Sequence, residues 1–279
     1  MGVDLHLHST ASDGTETPTA VVELAAAAGL SAIALTDHDN LDGIAEARIA
    51  ANRVGVDLIS GAELSVGWTT GAMHLLVYFL EPGPGPLQDR LVELQQSRAN
   101  RNQEMVGALN ELGIDITYDE ILAEAGGTGV GRPHFAGVLI KKGVVPDVET
   151  AFDRYLAAGR PAYRGRKRLD AAEAIELARE SGAATSIAHP HTIGAGAPDY
   201  EAAFAELAAV GLTGVECWYP EYEPTLRNHL AEIAESHGLV ATGGSDFHGS
   251  YKPSIQVGVG KGDLVVPEST LSELRDTIA

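Results

Sequence analysis

The chain has 279 residues, 44% of them hydrophobic, enough for one large domain or a domain that carries an insertion. No apolar run approaches the roughly 18 residues that span a bilayer, and the single cysteine, Cys217, excludes a disulfide framework or an all-thiolate metal site. A net charge of -20 argues against a surface that coats nucleic acid. With no charged segment leading into an apolar stretch, the chain is expected to be cytoplasmic.

Val3 to His8 reads as a short buried strand. Side chains two apart on a strand share a face, so His6 and His8 present two imidazoles together. Ser9 to Thr15 are turn formers that end the strand and bring in the carboxylate of Asp13. Two neutral imidazoles and a carboxylate are ordinary ligands for a borderline divalent metal. Pro18 to Ala28 reads as a helix stopped by Gly29. Ser31 to Leu35 is a strand that runs straight into Thr36-Asp37-His38-Asp39. A helix over Leu41 to Arg53 leads to a third strand, Val56 to Ser60, which runs into Gly61-Ala62-Glu63. This βαβαβ pattern predicts parallel strands with right-handed crossovers. It gathers His6, His8, His38 and Glu63 at the carboxyl ends of the strands, where barrels build their active sites.

Leu64 to Leu80 reads as two strands around Trp68-Thr69-Thr70-Gly71, with His74 at the start of the second. Glu81 to Pro86 alternates proline and glycine and is the clearest boundary in the chain. Strand signals then almost vanish as far as Gly159. Helices are expected over Leu87 to Leu112, Tyr118 to Ala125, Pro133 to Lys142 and Val148 to Ala158. The division this predicts is a barrel formed by residues 1–81 and 166–279, with a mostly helical insertion, 82–165, as a lid over its face. Nine of the nineteen Lys and Arg residues lie between Arg132 and Arg168, against Asp147, Glu149 and Asp153. That stretch carries +6 and the rest -26. A basic stretch inside an acidic chain points to an anion site, the plain alternative being a solvated helix face.

Beyond Arg168 the alternation resumes. Helices are expected over Asp170 to Glu180, Tyr200 to Val210 and Glu223 to His237, with a closing helix from Ser269. Strands are expected over Ala183 to Ala188, ending in His189-Pro190-His191, and over Thr213 to Cys217. Two more are Leu239 to Thr242, running into Gly243-Gly244-Ser245-Asp246-Phe247-His248, and Ile255 to Val259. His229 and His237 fall inside a helix and read as solvent-facing; Cys217 reads as a buried inert thiol.

The strand-end set is therefore His6, His8, Asp13, His38, Glu63, His74, His189, Asp246 and His248. One ion takes about four to six ligands, so this many donors imply two or three divalent ions. Such a cluster generates hydroxide near neutral pH and neutralises phosphoryl oxygens, and hydrolysis of a phosphate ester uses both. Gly131-Arg132-Pro133-His134 sits at a predicted helix start, where free backbone amides attract anions. Arg160-Pro161-Ala162-Tyr163 returns the chain to the barrel.

In order along the chain, His-x-His-x4-Asp-Gly, Thr-Asp-His-Asp, Gly-Ala-Glu, Ala-His-Pro and Gly-Ser-Asp-Phe-His resemble the motifs of the PHP family, named for polymerase and histidinol phosphatase. The Gly131-Arg132-Pro133-His134 and Arg160-Pro161-Ala162-Tyr163 segments are similar to a branch of bacterial nucleotide phosphoesterases. That branch includes AMP and nucleoside-bisphosphate phosphatases and a 5′-to-3′ exoribonuclease. The resemblance implies an α/β fold, a distorted (β/α)7 TIM-like barrel with a helical insertion, that holds three ions of manganese, iron or zinc. It implies His6, His8, Glu63 and Asp246 around the first ion. Glu63, His74 and His189 would hold the second, and Asp13, His38 and His248 the third. The activity expected is hydrolysis of a phosphate monoester of a small nucleotide, AMP or a 3′,5′-bisphosphate, by attack of a metal-bound hydroxide. Arg132, His134 and Arg160 are the expected substrate contacts, and His134 and His191 the candidates for protonating the leaving oxygen. The motifs also admit a 5′-3′ exonuclease on short oligonucleotides, a histidinol-phosphate phosphatase, a cyclic-phosphate diesterase or a non-enzymatic metal-binding module. The partner expected is a small phosphorylated molecule or a short oligonucleotide, not a membrane.

Overall fold

The computed structural model describes residues 2–278 apart from 70, 127, 128, 166 and 194–198. Strands β1 (Val3–Leu7), β2 (Ala32–Leu35) and β3 (Asp57–Trp68) run parallel. β4 (Gly71–Tyr78) is antiparallel to β3, and the two-residue β5 (Leu169–Asp170) pairs with β3 off the main path. β6 (Ala184–Ala188) is antiparallel to β4; β7 (Gly214–Trp218) and β8 (Val240–Gly243) then continue parallel to β6. The main path is β1-β2-β3-β4-β6-β7-β8. It curls back on itself through the segment after β8: the Asp246 N–H donates to the His6 carbonyl at 2.8 Å and the His8 N–H to the Phe247 carbonyl at 3.1 Å. The result is a distorted seven-strand barrel.

Helices α1 (Pro18–Ala27) and α2 (Ile44–Val54) link the first three strands. After β4 come α3 (Pro86–Glu111), α4 (Tyr118–Ala125), α5 (Arg132–Lys141) and α6 (Val148–Ala151). α7 (Ala171–Glu180), α8 (Tyr200–Ala209) and α9 (Pro224–Ser236) alternate with the later strands, and α10 (Ser269–Asp276) closes the chain. Side-chain caps start several of them. Thr17 accepts from the Ala20 N–H, Asp170 from Ala172 and Asp199 from Ala202, each pairing an amide the helix cannot pair itself. No helix among the described residues is long and apolar enough to cross a membrane.

The long α3 belongs to two cores. Its first turns bury Leu87, Leu91 and Leu94 in the barrel core with Leu64, Leu75 and Ile175. Its later turns bury Met105 and Leu109 in a separate core with Ile121, Phe135 and Leu139. The helical segment is thus anchored on the barrel by its own first helix.

The structure departs from the sequence reading in four places. β3 does not stop at Gly61; it continues through Glu63 to Trp68, so Glu63 lies mid-strand. His74 lies in the middle of β4, opposite Ser65, and not at a strand start. The segment expected as one helix over 148–158 is a single α turn followed by a π-helical turn, Phe152–Leu156. Ile255 to Val259 is no strand: Gly258 and Gly260 adopt left-handed φ of 79° and 57°, and the chain turns between Gln256 and Gly260. The turn around residue 70 lies outside the described residues.

Gly61 explains the first departure. A Cβ there would sit 2.4 Å from the Val77 carbonyl oxygen. This glycine marks a close approach of β3 to β4, not a strand end. Gly61→Ala should therefore cost about 1–3 kcal/mol through overpacking, read as a lower urea midpoint at unchanged slope. It should also weaken metal binding, because Glu63 follows two residues on. An unchanged midpoint would show that the two strands tolerate a side chain there.

Candidate metal centre

Glu63 is the centre of the site. It is 1% exposed and lies on β3 between β2 and β4; His38 follows the end of β2 and bridges to Glu63, and His74 lies within β4. Its Oε2 lies 3.2 Å from His6 Nε2, 3.1 Å from His8 Nε2 and 3.3 Å from His38 Nδ1. Its Oε1 lies 2.6 Å from His74 Nδ1 and 3.0 Å from His189 Nε2. The alternation of β1 aims His6 and His8 inward together, and their Nε2 atoms stand 3.1 Å apart. The turn after β8 adds Asp246, whose Oδ1 is 3.5 Å from both. On the other side, Asp13 Oδ1 is 3.4 Å from His248 Nε2, and Asp13 Oδ2 is 3.8 Å from His38 Nε2.

Ligand atoms converge in three overlapping groups: His6, His8, Glu63 and Asp246; His8, Asp13, His38 and His248; His38, Glu63 and His74. The first is the set expected for one ion. The second adds His8 to the expected trio. In the third, His38 stands where His189 was expected, while His189 reaches the same Glu63 oxygen. Ring nitrogens facing one another at this distance, and a buried Asp13 Oδ1 with no hydrogen-bond partner among the described residues, fit divalent cations.

The protonation balance shows the same need for positive charge. Burial alone would lower the pKa of His6, yet Glu216, Asp246 and Glu63 hold it well above its ordinary value. For His8 the same contest, with Asp246 and Glu63 against burial, ends at about 9. Burial wins at His38, which falls to about 3 despite Glu63 and Asp13. Against the effect of burial, Glu63 and Asp13 are held well below the usual carboxylate range by the imidazoles around them, and Asp246 by Lys252 together with His6, His248 and His8.

Behind the ligands stand residues that the sequence reading did not single out. Glu216, fully buried on β7, accepts from His6 Nδ1 at 2.8 Å and from the His189 backbone N–H at 2.6 Å. With Nδ1 engaged in that bond, Nε2 of His6 is the atom left to face the cluster. Asp37 accepts from the Ser9 N–H and both the Ser9 and Ser12 hydroxyls, which fixes the turn that carries Asp13. Asp246 Oδ2 accepts from Tyr219 at 2.8 Å and from Lys252 at 2.5 Å, which leaves Oδ1 facing the histidines. His189 and Asp246 have left-handed φ of 28° and 53°, a strain held at the site by these bonds, and Asp39, at 54°, is held by its own bonds to Glu63 and Ser65. The sequence did carry a signal for Asp37, inside Thr-Asp-His-Asp. Glu216 offered none beyond its place near a strand end.

A cavity of ≈ 190 Å³ opens beside Asp13, His38 and His74. Five arginines line it: Arg98 and Arg101 from α3, Arg132 at the start of α5, and Arg164 and Arg168. Arg132 donates to the Leu156 carbonyl at 3.2 Å and lies over the rings of Phe152 and Tyr163 at 5.5 and 5.7 Å. Arg98 is buried and paired with Asp39. Arg160, expected here, is not among the lining residues; it is exposed and paired with Asp153. His134 does not line the cavity either. It is buried, and its Nδ1 accepts from the Gly131 N–H at 2.9 Å to cap α5. His191 is exposed, bonded to the Tyr222 hydroxyl at 2.8 Å, with its ring 5.9 Å from that of His189. His229 is exposed, and His237 pairs with Glu201, both remote from the cluster. Cys217 is buried, and burial together with Glu216 pushes its thiol well up, as suits an inert group.

A family model described as the PHP domain matches residues 4–180. The chain belongs to the PHP family. It is 34% identical over 88% of its length to a 3′,5′-nucleoside bisphosphate phosphatase of Chromobacterium violaceum, covering 87% of that protein. It is 36% identical over 88% of its length to a 5′-3′ exoribonuclease of Haemophilus influenzae, covering 89% of it. Among solved structures, a Bifidobacterium adolescentis protein assigned as a metal-dependent phosphoesterase superposes with a TM-score of 0.87 at 30% identity, over 99% of this chain and 96% of that one.

In this PHP chain one carboxylate, Glu216, holds two candidate ligands, His6 and His189. A glutamine can accept from only one of the two N–H groups that Glu216 now satisfies. Glu216→Gln should lower divalent-metal affinity by about 10–100-fold while the fold is retained, as read by competition with a chelator and by circular dichroism. Unchanged affinity would show that the His6 orientation is set elsewhere.

Proposed function

We propose that the protein is a metal-dependent phosphoesterase that removes a phosphate from a nucleotide bearing a second phosphate, a nucleoside 3′,5′-bisphosphate. The observation that carries this reading is the arginine-lined cavity beside the histidine–carboxylate cluster. The cluster suits one phosphoryl group. Five arginines next to it supply more positive charge than that group needs and suit a second. The phosphatase relative of Chromobacterium violaceum supports the same substrate class. Divalent ions held by His6, His8, Asp13, His38, Glu63, His74, His189, Asp246 and His248, manganese being our choice, supply neutralisation of phosphoryl oxygens and activation of water.

The chain's own residues do the positioning. Arg132, fixed by Leu156 and the two flanking rings, and Arg98, fixed by Asp39, meet a phosphate with little side-chain entropy left to lose. His191, exposed beside His189, is better placed than His134 to pass a proton from Nε2 to the leaving oxygen, since the His134 Nδ1 caps α5. One feature favours a second reading, 5′-3′ hydrolysis of short oligonucleotides. Past Arg101 the surface opens into a groove of ≈ 680 Å³ with room for further nucleotides, where Ser97, Asn100 and Lys167 are joined by the carboxylates of Glu93 and Glu104.

Phosphate and mononucleotide release by the manganese-loaded protein separates the two. Adenosine 3′,5′-bisphosphate should exceed AMP in kcat/KM by about tenfold or more, a gap of some 1.4 kcal/mol. Equal values would remove the second-phosphate argument, and mononucleotides released from a 5′-phosphorylated trinucleotide would establish the exonuclease. Arg132→Ala should lower kcat/KM by about 10²–10³ with metal content intact. Loss of metal in that variant would place Arg132 with the cluster and not with the substrate.

A further inference from the structure

A second cavity adjoins the site. It lies between α3 and the loop after β2, encloses ≈ 270 Å³ and shares His38 and Arg98 with the arginine-lined one. Its character is different. Gln95, Gln96 and Asn102 present amides, Tyr118 a phenol ring, and Val92 and Ala99 apolar surface. Arg98 on the shared wall is already paired with Asp39. Such walls suit a flat, uncharged group with hydrogen-bonding edges better than another phosphate.

Asn102 is the informative residue. It is 1% exposed, and its Nδ2 donates to the Val130 carbonyl at 3.1 Å. Its Oδ1 has no hydrogen-bond partner among the described residues. Because the amide nitrogen is committed to a carbonyl, the orphan end is an acceptor. Asn40, on the same cavity, makes the contrast. Its Nδ2 donates to the Ala11 and His38 carbonyls and its Oδ1 accepts from the Asp42 N–H, each at 3.0 Å, so it is wall. A buried acceptor left unpaired is costly, and Asn102 is among the residues that line this cavity.

We infer that this cavity receives the nucleobase of the substrate, with Asn102 Oδ1 accepting from an exocyclic amino group and the Tyr118 ring covering the base. The inference rests on the nucleotide reading above and extends it to base preference. The layout matches a ribose with three substituents. The metal cluster, the arginine cavity and the amide cavity meet around His38, one for each phosphate and one for the base.

The test compares adenosine and inosine 3′,5′-bisphosphates, which differ by an amino group against an oxo group. The manganese-loaded protein should favour the adenosine compound by about tenfold or more in kcat/KM. Asn102→Leu should bring the two compounds to equal kcat/KM, and Tyr118→Leu, at a half-buried position, should raise KM for both. Equal kcat/KM in the unaltered protein would overturn the base site while leaving the phosphatase reading standing. Turnover of neither would remove the phosphatase reading. Equilibrium dialysis of free adenosine and inosine against the loaded protein then judges the cavity alone. Tighter binding of adenosine that Tyr118→Leu abolishes would uphold it; equal or absent binding would overturn it.

Discussion

The structure depends on a carboxylate buried in the middle of a strand. Glu63 is 1% exposed, and its two oxygens are surrounded by the rings of His6, His8, His38, His74 and His189. An isolated carboxylate in that position would cost far more than a domain's net stability. Positive charge must therefore accompany it. The carboxylates raise the pKa of His6, His8 and His189 against burial, which expresses that requirement, and a bound cation would meet it in their place. Barrel folding and metal binding thus share one electrostatic requirement, met at one residue.

The second layer turns that requirement into geometry. Glu216 ties β7 to the ring of His6 on β1 and to the backbone of His189 after β6. Asp4 accepts from the Ser245 and Gly258 N–H groups at 2.8 Å each and draws the segment after β8 against β1. Asp37 holds the turn of Asp13 from the end of β2. Each is a buried carboxylate satisfied mainly by N–H or O–H donors, a charge-assisted bond roughly twice as strong as a neutral one. Together they keep His189 and Asp246 in left-handed conformations that a free chain would leave.

Much of the site was legible because strand periodicity is local. His6 and His8 fall on one face by alternation alone, and His38, His189, Asp246 and His248 follow apolar runs that read as strands. Glu63 was found for the wrong reason: Gly61 looked like a strand end, while in the fold it lets Val77 approach. The direction of β4 was not legible, since hydrophobic alternation is the same in either sense. Glu216 was missed because a carboxylate between Val215 and Cys217 declares its role only through contacts with β1 and β6. Of the arginines that line the cavity the sequence singled out Arg132; Arg164 and Arg168 lay unmarked within the basic stretch, and Arg98 and Arg101 come from a polar helix whose inward face no local signal marks. Arg160 shows the converse: its motif was legible, yet Asp153, one turn of chain away in the fold, engages it.

The contrast between the acidic chain and its arginine cavity follows from range. Beyond about 8 Å at physiological salt, charges are largely screened, so the net charge of -20 acts mainly on an approaching polyanion and little on a group already inside the site. Within the cavity the five guanidinium groups act at contact distance and in a less polar medium, where each is worth more. A long nucleic acid would meet the acidic exterior along most of its length and the arginines along a short part of it. A single nucleotide would meet mainly the arginines and the candidate metal cluster. On the proposed reading the charge distribution would select by size as well as by sign, favouring a small phosphorylated molecule or the end of a short strand over the body of a duplex.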